Sequence, residues 1–179
     1  LHAPENALRS TIAKYERLQR GSRQRVPATA AIAEDLDTGV GMVMDAIDRL
    51  GLASNTFVIY MSDNGGGGGK RGQLNGGKGA VYEGGVRSPM IVRGPGVAPS
   101  SWCHTRVVGY DLFPTFCEWA GVSAARLPRG LEGGSIASLL ENDGRGTVKR
   151  PREELVFHFP HYQSADGPQS AIIVGDLKL

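Results

Sequence analysis

Thr56-Phe-Val-Ile-Tyr-Met61 runs without a break into Ser62-Asp63-Asn64-Gly65-Gly66, and a second glycine cluster, Gly76-Gly77-Lys78-Gly79, follows downstream. An unbroken apolar run bounded by turn residues reads as a strand buried on both faces, the texture of parallel sheets covered by helices. Ligands of open α/β sheets bind in the crevice beyond the carboxyl ends of the strands. Asp63 and Asn64 bring a carboxylate and an amide oxygen to that edge, and Lys78 follows in a loop without bulky neighbours. The combination suits a hard cation and an anion held side by side.

Working outward, Ile32, Leu36, Val40, Val43, Ile47 and Leu50 recur at spacings of 4, 4, 3, 4 and 3. This is one stripe of an amphipathic helix that follows Pro27 and ends at a C-cap glycine, Gly51. Gly39 and Gly41 inside it each cost about 1 kcal/mol against alanine, so close packing on a sheet is expected there. Residues 5–20 form a second, weakly periodic helix. From Ser62 to Ser88 there are eleven glycines, too many for a helix or a regular strand, and a loop that long in a compact domain is usually functional or disordered. Residues 89–93 read as a short strand and 105–110 as another. Asp111 serves as N-cap, with Pro114 in the first turn, of a helix that runs to Trp119 and closes at Gly121. A short helix is expected over 135–140. Beyond Pro151 the texture changes to strands at 155–159 and 171–174, with Gly175-Asp176 as a hairpin turn. The expected class is α/β: part of a mixed, largely parallel sheet with flanking helices over 1–150, then a small antiparallel subdomain starting at 151–179.

The 179 residues are long enough for one sizeable core. At 40% hydrophobic and 21% charged with a net charge of +2, the chain is too mildly basic to argue for nucleic acid, and no basic stripe is interleaved with aromatics. Arg17, Arg20, Arg23 and Arg25 read as a solvated helix end and loop. No apolar run approaches the roughly 18 residues of a membrane span. Cys103 and Cys117 lack metal-ligand and CxxC spacing, so both are expected as free, buried thiols. The chain opens on Leu1-His2-Ala3-Pro4 without an initiator methionine and closes on Asp176-Leu177-Lys178-Leu179 in strand-like texture. Both ends read as cuts in a longer protein, and no signal peptide is in view.

The residues alone leave each chemical group ambiguous. Asp-Asn-Gly is ordinary turn chemistry, and two side chains do not make a calcium or magnesium site, which takes six or more oxygens. Gly72-Gln-Leu-Asn-Gly-Gly77-Lys78-Gly79 nearly matches a phosphate loop, but position 79 lacks the metal-binding hydroxyl and Gly84-Gly85 follows where a helix must run. The nucleotide reading fails. His2, His104, His158 and His161 have no spacing signature. His158, between Phe157 and Phe159, alternates to the opposite face of its strand. Glu83 and Arg87 read as a pair bracing the loop.

Together, Met61-Ser-Asp-Asn-Gly-Gly66 and Gly76-Gly-Lys-Gly-Ala-Val-Tyr-Glu-Gly-Gly-Val-Arg-Ser-Pro89 resemble the sulfatase family of the alkaline phosphatase superfamily. The likeness extends through His2-Ala-Pro4, Asp37-Thr-Gly-Val-Gly41, Asp111-Leu-Phe-Pro-Thr115 and Gly175-Asp-Leu-Lys178, nearly the whole chain. It implies that 1–150 is the C-terminal portion of a catalytic domain whose remainder is its partner. It further implies that Asp63 and Asn64 are two of the side-chain ligands of an active-site calcium. Lys78 would contact the sulfate, and His2 would stand near the leaving-group oxygen. The family nucleophile is a formylglycine made within C/S-x-P-x-R, and no Cys or Ser here has Pro two residues later. The nucleophile is therefore expected outside this segment, which alone should be inactive. The implied function is calcium-dependent hydrolysis of sulfate esters, sulfated carbohydrates among them. Rival readings are a phosphate or phosphonate monoester hydrolase and a non-catalytic binder of sulfated glycans. A periplasmic, secreted or lysosomal setting is suggested by the resemblance alone.

Overall fold

The computed structural model of the chain describes residues 4, 6–22, 25–66, 73–162 and 167–179, which divide into two compact units after Thr56. The first unit holds helices α1 (Arg9–Arg17) and α2 (Pro27–Arg49). Proline begins α2, where a missing N–H costs nothing. Leu50 caps its end, with Gly51 in the left-handed region beyond it at φ 69°. The two helices are joined by acceptors on α2. The Leu8 N–H and the Thr11 hydroxyl donate to the two carboxylate oxygens of Asp35, each at 2.7 Å, and Lys14 Nζ donates to Glu34 Oε2 at 2.6 Å. That ammonium holds the Glu34 carboxyl below its ordinary range. The expected stripe is not covered by α1: Leu36, Val43 and Leu50 remain exposed, and a Cβ added at Gly39 or Gly41 would meet nothing within 4 Å.

The second unit begins with β1 (Val58–Met61), followed by one turn of helix, α3 (Glu83–Val86), and β2 (Met90–Arg93). The α/β class stands, but these strands correct one detail of it: β1 and β2 are antiparallel, with Met61 opposite Met90 and Val58 opposite Arg93. Every ladder among the described residues is antiparallel. The cause is the connection. Parallel strands need a crossover, usually helical, whereas the chain returns with Pro89 hydrogen-bonded to Ser62, beside the end of β1. Nor is β1 buried on both faces, since Tyr60 and Met61 are exposed.

Helices α4 (Leu112–Trp119) and α5 (Ala137–Glu141) precede a meander of β3 (Leu155–Phe159), β4 (Gln169–Val174) and β5 (Leu177–Lys178), the small antiparallel sheet expected there. Trp119 stacks on Phe57 with ring centroids 3.8 Å apart, which brings α4 onto the chain entering β1. Ile136, Leu139, Leu155, Ala171 and Ile173 are the main buried apolar side chains, and Leu155 lies opposite Ile173 across the ladder. Both cysteines are free, as expected, but Cys103 is exposed and Cys117 only half-buried. No helix among the described residues is long and apolar enough to cross a membrane.

No strand forms over 105–110, because its backbone groups are claimed by a buried ion pair. Asp111 is fully buried and meets Arg150 through two bonds, Nε to Oδ1 at 2.8 Å and Nη2 to Oδ2 at 2.6 Å. The same carboxylate accepts the N–H groups of Val108 and Gly134, while Arg150 also donates to the Arg106 carbonyl. Thr115 continues the network: its hydroxyl donates to the Asp111 carbonyl and accepts the Ile136 N–H. Asp111 is thus the hub of a lock joining three segments, beyond its place at the start of α4. Removing one partner of a buried pair strands the other charge, at a cost of about 3–5 kcal/mol. Asp111→Ala is therefore expected to lower the denaturation midpoint of the protein sharply. Adding Arg150→Met should restore part of the loss, and strictly additive losses would show that the pair is not coupled.

Candidate active site

Two ends of one long excursion are held together at the carboxyl end of β1. The Ser62 N–H donates to the Pro89 carbonyl at 3.3 Å, and the Ser88 hydroxyl donates to the Ser62 carbonyl at 2.9 Å. Beyond this neck the chain knots on its own backbone. Gly65 N–H donates to the Gly85 carbonyl at 2.8 Å, and Gly84 N–H donates to the Asn75 carbonyl at 2.7 Å. A Cβ at Gly65 would stand 1.7 Å from the Gly84 oxygen, and one at Gly85 would stand 2.0 Å from the Ala80 oxygen. Only glycine permits such contact. These glycines are accounted for by backbone meeting backbone inside the loop.

The knot brings two of the expected site segments together. The Lys78 N–H donates to the Gly66 carbonyl at 2.9 Å, so the lysine sits one hydrogen bond from the Asp63-Asn64 turn. Asp63 and Lys78 are both exposed and Asn64 is half-buried. Within the turn, the Ser62 hydroxyl donates to the Asn64 carbonyl and the Asn64 amide nitrogen donates to the Gly65 carbonyl, both at 2.9 Å. That leaves Asn64 Oδ1 and the Asp63 carboxylate without a donor among the described residues. Two adjacent unengaged oxygen donors fit part of a hard cation's shell, which prefers oxygen and mixes carboxylates with amide carbonyls. No group of three His, Cys, Asp or Glu side chains converges among the described residues, so Asp63 and Asn64 do not by themselves complete a cation's shell.

His2 lies outside the described residues. The other histidines have separate surroundings. His158 Nδ1 lies 2.8 Å from the Ser170 hydroxyl, His161 meets the Phe159 ring edge-on, and His104 is exposed.

The C-terminal sheet tethers the loop that carries Lys78. Gln169 Oε1 at the start of β4 accepts the Val81 N–H at 3.0 Å, and Lys178 Nζ on β5 pairs with Glu83 Oε1 at 2.8 Å. Glu83 therefore engages a partner 95 residues away, in place of the local pair expected with Arg87. No sequence spacing signals either contact. Val81 is buried, and a buried N–H stripped of its acceptor costs about 1–3 kcal/mol. Gln169→Ala is expected to speed hydrogen exchange at the Val81 amide about tenfold. Lys178→Ala removes only a partly exposed pair and should do much less. Unchanged protection at Val81 in Gln169→Ala would contradict the tether.

Comparison with known proteins gives the family. The family model described as Sulfatase matches residues 1–122. A protein named Sulfatase from Formosa agariphila is 41% identical over 160 residues, covering 80% of this chain and 28% of that one. The solved structure of Ps i-CgsB superposes with a TM-score of 0.77 at 25% identity, over 99% of this chain and 38% of that one. A structure described as a complex with its substrate D-glucosamine-2-N,6-O-disulfate superposes with a TM-score of 0.66 at 25% identity, over 96% of this chain and 36% of that one. The chain thus spans 28% of the length of the curated relative, and it belongs to the sulfatase family.

Proposed function

We propose that the protein containing this chain is a calcium-dependent sulfatase acting on sulfate esters of carbohydrates. The observation that carries the reading is the bond from the Lys78 N–H to the Gly66 carbonyl, which sets the signature lysine beside the Asp63-Asn64 turn. Asp63 contributes a full negative charge and Asn64 a neutral oxygen to a cation. Calcium, when bound, would neutralise charge on the sulfuryl group and lower the pKa of a hydrated formylglycine nucleophile supplied from outside these residues. The Lys78 ammonium offers a positioned charge to the sulfate oxygens as they gain electron density. His2 is placed in this reading near the leaving oxygen, which its imidazolium would protonate. Residues 1–150 then form the later part of the catalytic domain and 151–179 the start of a small subdomain, with Gln169 and Lys178 bracing the Lys78 loop. A carbohydrate substrate is supported by the neighbouring structure whose substrate is a disulfated glucosamine. Chelation followed by metal repletion tests the proposal. Hydrolysis of a sulfated sugar by the full-length protein should fall on chelation and return with calcium. Turnover indifferent to a chelator would overturn it.

A further inference from the structure

A second concave surface, lined by none of the residues of the Asp63 turn or the Lys78 loop, lies between two loops of the second unit. Met61 and Met90 close the ladder at the Asp63 end, whereas Val58 and Arg93 close it at the far end, where the chain leaves β2 through Gly94-Pro95-Gly96. Residues 100–105 then form one wall of a cleft of about 670 Å³, and residues 143–146 form the other. It is a groove open to solvent along its length, a shape suited to an extended ligand lying on the surface.

The walls are fixed by their own bonds. The Thr105 hydroxyl donates to the Gly146 carbonyl at 2.8 Å, the Ser101 hydroxyl donates to the Ala98 carbonyl at 2.9 Å, and the Gly144 N–H donates to the Leu139 carbonyl at 2.8 Å. The turns meet so closely that a Cβ at Gly144 would stand 2.3 Å from the Trp102 carbonyl oxygen. The two non-glycine residues with left-handed backbone among those described, Ser100 at φ 55° and Asp143 at φ 58°, both line this cleft. Backbone strain of this kind gathers at ligand sites.

The lining is equally pointed. Trp102 is 83% exposed and has no ring partner among the described residues, in contrast to Trp119, which stacks on Phe57. An indole left in water at a cleft wall offers a flat apolar face with one donor at its edge. Arg145 adds an exposed guanidinium, and Asp143 stands 3.6 Å from it with an exposed carboxylate. His104 and the backbone of Gly146 complete the rim. A bare anion would use only the arginine and be opposed by Asp143. A ring bearing hydroxyls and an anionic group would use all three: the indole under its face, the guanidinium on the anion and the carboxylate as acceptor for hydroxyls.

We propose that this cleft is a binding site for an anionic saccharide, with Trp102 as stacking platform and Arg145 as anion contact. The site is separate from the turn at 62–89 and does not depend on the activity assigned to it. The test uses the full-length protein, calorimetric titration and tryptophan fluorescence, with three probes: a sulfated oligosaccharide, its desulfated counterpart and inorganic sulfate. The sulfated oligosaccharide should bind saturably and perturb the emission of Trp102. Trp102→Ala should weaken binding about tenfold or more, and Trp102→Phe should recover most of it. Arg145→Ala should remove the difference between the sulfated and desulfated probes in the Trp102 emission titration, which reads this cleft and not the Lys78 site. The emission change should disappear in Trp102→Phe while binding is retained, which assigns the signal to Trp102 and not to Trp119, and failure of the sulfatase reading leaves this pattern intact. Absence of saturable binding, binding indifferent to Trp102→Ala, or inorganic sulfate binding as tightly as the oligosaccharide would each overturn the proposal.

Discussion

Lys78→Ala in the full-length protein is expected to lower kcat/KM on a sulfate ester by roughly 10²-fold or more, the loss that follows removal of one preorganised oxyanion donor. The lysine backbone is pinned to Gly66, the loop knots on glycines that admit no side chain, and β4 and β5 tie the loop from outside. These bonds hold the lysine's backbone beside the Asp63-Asn64 turn. Lys70 belongs to the same glycine-rich stretch but lies outside the described residues and outside the matched signature, and Lys70→Ala should be nearly neutral. Both substitutions remove one positive charge from one loop, so the comparison separates contact from general attraction. Salt gives the second arm. Long-range steering fades at high ionic strength, whereas the Lys78 defect should persist. Equal defects that vanish together in salt would remove Lys78 from the site.

The second large effect concerns metal affinity. Asp63→Ala should weaken calcium binding strongly and nearly abolish turnover, and Asn64→Ala should do both less. The reason is charge: a hard cation gains far more from a carboxylate than from an amide dipole. The local structure adds a contrast. Asn64 is tied to Gly65 through its amide nitrogen, so truncating it also frees the turn, while Asp63 has no such duty among the described residues. Asp63→Ala should therefore leave the thermal midpoint of the metal-free protein almost unchanged. Calcium titration of the two variants decides the matter, and unchanged affinity in Asp63→Ala would end its assignment as a ligand.

Much of this is legible in the sequence. The apolar run ending in Asp63-Asn64-Gly65 marked a strand and the turn beyond it, Pro27 and Gly51 bracketed α2, and Gly175-Asp176 marked the turn between β4 and β5. These features are local, written within a few residues by backbone preference. What escaped depends on groups far apart in sequence. An apolar run does not encode the direction of its partner, so β2 was expected in a largely parallel sheet and lies antiparallel. Asp111 read as a helix cap because its partner Arg150 stands 39 residues away, and that pair takes the Arg106 carbonyl and the Val108 N–H that a strand over 105–110 would have used. Glu83 read as a partner for Arg87 because Lys178 is 95 residues distant. In the candidate site, the residue types at 63, 64 and 78 were visible from the signature stretches. The bond that brings their segments together, from the Lys78 N–H to the Gly66 carbonyl, is a backbone contact that no side-chain pattern announces.

Aryl sulfate and aryl phosphate hydrolysis, measured side by side for the full-length protein and its Lys78→Ala variant with calcium present, distinguish a sulfatase from a phosphate ester hydrolase. The sulfate ester should be the better substrate, and its turnover should collapse in the variant. Faster hydrolysis of the phosphate ester, or no release from the sulfate ester by the unaltered protein, would contradict the sulfatase reading.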